Sequence, residues 1–302
     1  MASSPETRTQ IGLVFPNQDI GTERQDIVGF APKVEEIGLD FIAGYDHVVG
    51  VDISRKAQDT TFTRCNYNSE QTMHEPMVLF GGMAVLTERV RFLTACVVSP
   101  QRQTALLAKQ SAELDIISGG RLDLGLSIGW SKPEFDAMGA NFAGRASKLE
   151  EQVELLRKLW TEDSVDHKSD TEQFEAVDIK PLPIQRPIPI WLGGLSVAAM
   201  ERAARIGDGW VAMSKLDDKI EACAAYFQQH AKSIGRSDAG VVGLVNPWSR
   251  SYDQCMRDYE KWIGYGATHI AIGNVYGSFR NSDQYFEDVE RFVTYLNDRR
   301  PA

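Results

Sequence analysis

Short apolar strands and amphipathic helices alternate along this chain eight times, and no other feature restricts its fold so strongly. The strand candidates are Ile11–Phe15, Phe41–Ala43, Arg91–Val98, Leu122–Ser127, Ile190–Leu192, Gly209–Met213, Gly240–Leu244 and His269–Ile272. They are continuous apolar runs, which is how strands read when both faces of a sheet are covered. Helix candidates lie near Asp26–Ile37, Pro76–Leu86, Thr104–Ile117, Arg145–Trp160, Val197–Ile206, Asp217–Ile234, Tyr252–Gly264 and Ser282–Leu296. In the fourth of these, Ala146, Leu149, Val153, Leu156 and Trp160 step by three and four, so one apolar stripe faces a core. The alternation predicts an α/β fold, a (β/α)8 TIM barrel with insertions, with a doubly wound sheet as the alternative. No internal repeat, low-complexity tract or dividing linker interrupts residues 1–302, and a single domain over 1–302 is expected.

The net charge of −10, with no basic cluster, argues against nucleic acid as a partner. No run of about 18 apolar residues exists to span a membrane. Met1–Gln10 is polar and has no apolar signal core. Cys65, Cys96, Cys223 and Cys255 are widely spaced with no Cys-x-x-Cys, a pattern that fits isolated thiols in a reducing compartment. A cytoplasmic protein is expected.

Asp46-His47 lies just past the second strand, where a barrel exposes residues to its ligand. A histidine there titrates near neutrality, and a flanking carboxylate can raise its pKa. The remaining histidines, His74, His167, His230 and His269, form no His-x-x-x-His or His/Cys/Asp cluster, so no metal site is expected. Between Ile188 and Met213 the chain reads as a strand, the pair Gly193-Gly194, Ser196 as the N-cap of a helix, and a second strand. Glycine N–H groups beside a helix N-terminus make an anion cradle, although the same pair also serves as a tight βα turn. Gly125 and Gly129 leave room above the fourth strand for a flat ring or a close backbone contact. No G-x-G-x-x-G motif occurs. Two connections are long, Val48–Glu75 and Thr161–Pro189, and the first is a βα loop in position to act as a lid.

Taken together, Gln103–Trp130, Glu134–Gly139, Leu156–Trp160 and Ile190–Trp210 resemble the bacterial luciferase-like oxidoreductase superfamily, and within it the class that uses the deazaflavin coenzyme F420. The resemblance implies an eight-stranded luciferase-like barrel with a flavin-type ring at its C-terminal face. It implies a phosphate held by backbone around Gly193, Gly194 and Leu195, and a ring flanked by Gly129 and Trp130. It also implies a bulge at Cys96-Val97, where relatives carry a non-proline cis peptide behind the ring. Asp46 and His47 match the family's Asp-His pair, which gives His47 the role of proton donor or stabiliser of the reduced ring.

Trp130 stands where relatives that oxidise a sugar phosphate place a carboxylate beside that pair. The missing acid points to reduction of an activated double bond, or to oxygenation, rather than to alcohol oxidation. The expected function is therefore hydride transfer between coenzyme F420 and a small organic substrate, by a homodimer. An FMN-dependent monooxygenase served by a separate flavin reductase is the alternative, and a non-catalytic flavin-binding protein is the third reading. Arg102, Lys109, Arg121, Lys132, Arg145 and Lys148 are candidates to hold the longer anionic tail of the deazaflavin. The substrate pocket is expected to be lined by the Val48–Glu75 loop, Trp130, Trp248, Asn274 and Tyr276.

Overall fold

The computed structural model describes residues 8–55, 67–273 and 282–300. Along the chain, β1 (Gln10–Val14) leads through α1 (Arg24–Glu36) to β2 (Phe41–Gly44), and α2 (Pro76–Ala84) leads to β3 (Arg91–Thr94) and β4 (Val97–Val98). Next come α3 (Thr104–Ile117), β5 (Leu122–Ser127), α4 (Lys132–Ala137) and α5 (Arg145–Thr161). A hairpin of β6 (Val165–Lys168) and β7 (Gln173–Val177) precedes β8 (Ile190–Gly193), α6 (Val197–Ile206), β9 (Gly209–Val211) and α7 (Asp218–Ser233). The chain then forms β10 (Gly240–Val245), α8 (Tyr252–Gly264), β11 (Ala267–Ile272) and α9 (Ser282–Asn297).

The sheet runs β3-β2-β1-β11-β10-β9-β8-β5-β4, and an additional β3–β5 pairing closes it. Every pairing in it is parallel. With β3 and β4 as two halves of one strand, the described residues form a closed eight-stranded barrel with helices between strands, as the alternation predicts. Side chains alternate along each strand. Leu13, Ile42, Phe92, Ile190, Trp210, Val241 and Ile270 pack outward against the helices, whereas Val14, Phe41, Ala43, Leu93, Trp191, Val211, Val242 and Ala271 form a second cluster inside the barrel.

The lumen is filled from its N-terminal end. Phe41 and Trp191 meet His269 edge to face at 5.4 and 4.8 Å. Burial pushes the His269 pKa down, so this ring is a neutral packing element. Glycines make way for the plug: a Cβ on Gly209 would lie 2.2 Å from the Trp191 ring, and one on Gly12 would lie 2.5 Å from Phe41. Towards the C-terminal end the lumen holds Ala43, Ala95 and Ala271 together with Val14 and Leu244.

Three features depart from expectation. The third strand, read as continuous from Arg91 to Val98, breaks after Thr94, and the non-proline cis peptide is Ala95–Cys96, one bond before the position implied by resemblance. Register explains the shift: Thr94 still pairs with Gly44, and Val97 already pairs with Leu126, so only Ala95 and Cys96 lie outside the ladder. The Thr161–Pro189 connection contains the β6–β7 hairpin, which is mostly solvated on both faces and so lacks an apolar period to betray it. Finally, α4 is a six-residue helix, too short for a periodic signal.

Candidate active site

Functional side chains collect at the C-terminal ends of β2, β4, β5 and β8. Just beyond β2, Asp46 and His47 take separate partners. The Asp46 carboxylate is buried; it accepts a bidentate pair from Arg102 at 2.8 and 2.8 Å and the Val98 N–H at 2.8 Å. Asp46 therefore braces β2 against β4 and does not flank His47, which corrects the reading of it as a catalytic partner.

The carboxylate beside His47 comes instead from α4. Glu134 Oε2 lies 3.1 Å from His47 Nδ1, while Oε1 accepts the Val48 N–H at 2.6 Å. Only 1% of the Glu134 side chain is exposed, against 15% for His47. Burial opposes ionisation of Glu134, yet hydrogen bonds and charge from His47, with the Val48 N–H, outweigh it and hold the carboxyl below the usual carboxylate range. Sequence reasoning found a missing acid because Trp130 occupies the expected place; the structure supplies a different one, 87 residues from His47. Glu134 lies inside the Glu134–Gly139 motif that carried the resemblance, which was its only signal.

Aromatic rings confine the imidazole. Tyr67 stacks on it at 4.7 Å with 17° between planes, and Trp130 meets it edge-on at 5.3 Å. Trp130 is 45% exposed, so it stands at the mouth of the site and not in the core. Tyr67 belongs to the return limb of the long βα loop. That limb is pinned by the Ser69 N–H to Val51 O (3.1 Å), Thr72 Oγ1 to Asn17 O (2.9 Å) and the His74 N–H to Asn17 Oδ1 (3.1 Å). Residues 56–66 of the loop, with Asn274 and Tyr276 of the expected pocket lining, lie outside the described residues. Trp248 stacks flat on Tyr285 at 5.0 Å.

Cys96, partly exposed at the break in the third strand, offers a floor there, whereas the Val97 side chain is fully buried with the helix-facing core. Cys96 Sγ packs against β8: a Cβ on Gly193 would come within 2.7 Å of it. A Cβ on Gly125 would lie 1.8 Å from the Thr94 carbonyl, which is the close backbone contact anticipated there. Gly129 (φ +69°) faces Val98, 2.5 Å from where its Cβ would be, so the space above it is filled by the chain itself. Burial, with a smaller contribution from Asp46, pushes the Cys96 thiol up to about 12. It is neutral at physiological pH and offers an apolar surface. Beside this floor, Gly194 (φ +128°) adopts a backbone conformation that other residues rarely take, and its Cβ would lie 2.7 Å from that of Ala199. Ser196 caps α6 by accepting the Ala199 N–H, as predicted, and the other first-turn N–H groups have no intrahelical acceptor. Bare backbone at Gly193 and Gly194, a helix start and a neutral thiol have the chemistry that a phosphorylated planar group requires.

The six cations offered for an anionic tail are all engaged. Arg102 binds Asp46, Lys132 binds Asp136, Lys148 binds Glu172, and Lys109 donates to the Lys180 carbonyl. Arg145 lies 3.8 Å over the Phe142 ring and donates to Gly129 O. Arg121 donates to carbonyls of Ala84, Thr87 and Val90 just before β5 begins, at the opposite end of the barrel from the site. Among the described residues no group of three or more His, Cys, Asp or Glu could hold a metal ion, and no helix is long and apolar enough to cross a membrane.

A closed parallel barrel with a histidine, a bare-backbone cradle and a kinked third strand at its C-terminal face defines an α/β-barrel enzyme class. The chain belongs to the luciferase-like monooxygenase family, whose model matches residues 9–292. The FMNH2-dependent dimethylsulfone monooxygenase of Pseudomonas putida is 33% identical over 172 residues, spanning 54% of this chain and 47% of that enzyme. The monooxygenase RslO1 of Streptomyces bottropensis superposes with a TM-score of 0.77 at 18% identity, over 96% of this chain and 99% of that one. An F420-dependent secondary alcohol dehydrogenase superposes at 0.74 with 15% identity, over 96% and 99%. Such likenesses define the fold, and the structural neighbours include F420-dependent and FMN-bound enzymes.

Proposed function

We propose that this chain is a coenzyme F420-dependent reductase that adds hydrogen across an activated double bond of a small organic substrate, with His47 as proton donor. The observation that carries the reading is His47 itself, held at the mouth of the site by an ionised Glu134 and walled by Tyr67 and Trp130. When bound, the reduced deazaflavin supplies a hydride and, having carbon in place of the reactive ring nitrogen, does not favour oxygen chemistry. The chain's own part is to hold and to protonate. Backbone at Gly193–Leu195 and the start of α6 hold the phosphate, Cys96 supports the ring, and the aromatic walls exclude water from His47. Protonated His47 then delivers its hydrogen to the substrate atom that hydride addition leaves with an electron pair.

The FMN-dependent monooxygenase is the second reading, favoured by the engaged state of all six candidate tail cations and by the FMNH2-dependent relative. Turnover of an enone with reduced F420 tests the first reading. His47→Gln is expected to lower kcat by about 10²-fold with coenzyme affinity retained. Unchanged kcat would remove His47 from the chemistry.

A further inference from the structure

Glu134 serves two donors with its two oxygens, and both donors belong to the same short stretch of chain. Oε2 faces His47 Nδ1 at 3.1 Å and Oε1 takes the Val48 N–H at 2.6 Å, so one carboxylate fixes the imidazole and the backbone that carries it. The side chain has no freedom to turn away. It is 1% exposed, and its helix is anchored by the fully buried Phe135, which meets Phe142 edge to face at 5.2 Å. An ionised carboxylate carries no hydrogen, so in this contact Nδ1–H is the donor.

We propose that Glu134 is a positioning residue for His47: it fixes the imidazole as the Nδ1–H tautomer and leaves Nε2 as the one atom that exchanges a proton with substrate. The inference rests on the role given to His47 above. The charged and titratable groups around the ring are few among the described residues. Glu134 faces it from α4, and Tyr67 stacks on it from the loop as a neutral phenol, its pKa raised by burial and by the charge of Glu134. Trp130 is uncharged, and Asp46 on the adjacent position is neutralised by Arg102. Glu134 is thus the one uncompensated charge in contact with the imidazole. The proton count closes. Imidazolium gives its Nε2 hydrogen to the substrate atom that holds the new electron pair, the coenzyme having given the hydride, and the neutral Nδ1–H form left behind is reprotonated at Nε2 from solvent. With the tautomer fixed, acid and base forms differ at a single atom facing the pocket.

Nitrogen-15 NMR of histidine-labelled, cofactor-free protein from about pH 5 to about pH 9 tests this directly. The His47 signals are assigned with His47→Gln. At the alkaline end of this range wild-type His47 is expected to carry its hydrogen on Nδ1, and in Glu134→Gln the Nε2–H form is expected to appear beside it. Glu134→Asp should restore the Nδ1–H form in part. A neutral wild-type His47 with its hydrogen on Nε2, or a tautomer unchanged in Glu134→Gln, overturns the proposal. The wild-type tautomer needs no variant, so a folding defect in Glu134→Gln leaves the test intact. No coenzyme is present, so an error in the choice of deazaflavin would leave this result standing.

Discussion

His47 and Asp46 are neighbours in sequence and parts of different machines in space. His47 reaches forward to Glu134 and the aromatic walls, whereas Asp46 turns back into the barrel to bind Arg102 and the Val98 N–H. A dipeptide cannot show which of its side chains faces a ligand, because only the packing decides which of them turns inward. The buried Asp46–Arg102 pair is an all-or-none element. Removing one partner strands the other charge where little solvent reaches it. Asp46→Asn is expected to destabilise the protein by about 3 kcal/mol, read as a lower urea midpoint, since the mostly buried Arg102 guanidinium keeps only the half-exposed Glu75, 3.8 Å away, as counter-charge. A midpoint equal to wild type would mean that the pair is not holding β2 to β4.

At the scale of elements, the break in the third strand and the glycines of its neighbours form one device. Cys96 projects towards β8, where Gly193 has no side chain to meet it, and the Thr94 carbonyl fills the place a side chain on Gly125 would need. Gly193→Ala should push a methyl into Cys96 Sγ and cost about 1–3 kcal/mol. Adding Cys96→Ala should return most of that loss, because the nearest remaining Cys96 atom, Cβ, lies 3.7 Å from the new methyl position. Equal losses in both backgrounds, measured by chemical unfolding, would separate the two residues.

The eight strands were legible because each is a short, mostly apolar run, and so was the α6 cap, because Ser196 stands two residues past the glycine pair and opens an amphipathic run. The β6–β7 hairpin and α4 were not: one is solvated on both faces and the other is shorter than two helical turns. Glu134 rides on that unread helix, and Tyr67 sits in a loop with no period at all. The half of the site assembled by tertiary contact was therefore invisible in a single chain of letters.

For the whole molecule, the barrel divides stability from chemistry along its axis. Phe41, Trp191 and His269 plug the N-terminal end, and Ala43, Ala95 and Ala271 lie with Val14 and Leu244 towards the C-terminal end, where a ligand is needed. Structural neighbours with this fold include an F420-dependent and an FMN-bound enzyme, so fold alone does not choose between the cofactors. The choice rests on how the site meets the two cofactors. In the proposed site either cofactor would set its ring at Cys96 and its phosphate at Gly193–Leu195, and the deazaflavin's longer anionic tail would have to compete for cations that already have partners. The most direct measurement is titration of the purified protein with oxidised coenzyme F420 and, separately, with FMN, following quenching of cofactor fluorescence. The account predicts saturable binding of F420 that is tighter than that of FMN. Tight binding of FMN with no detectable binding of F420 would contradict it and make the chain a flavin-dependent monooxygenase instead.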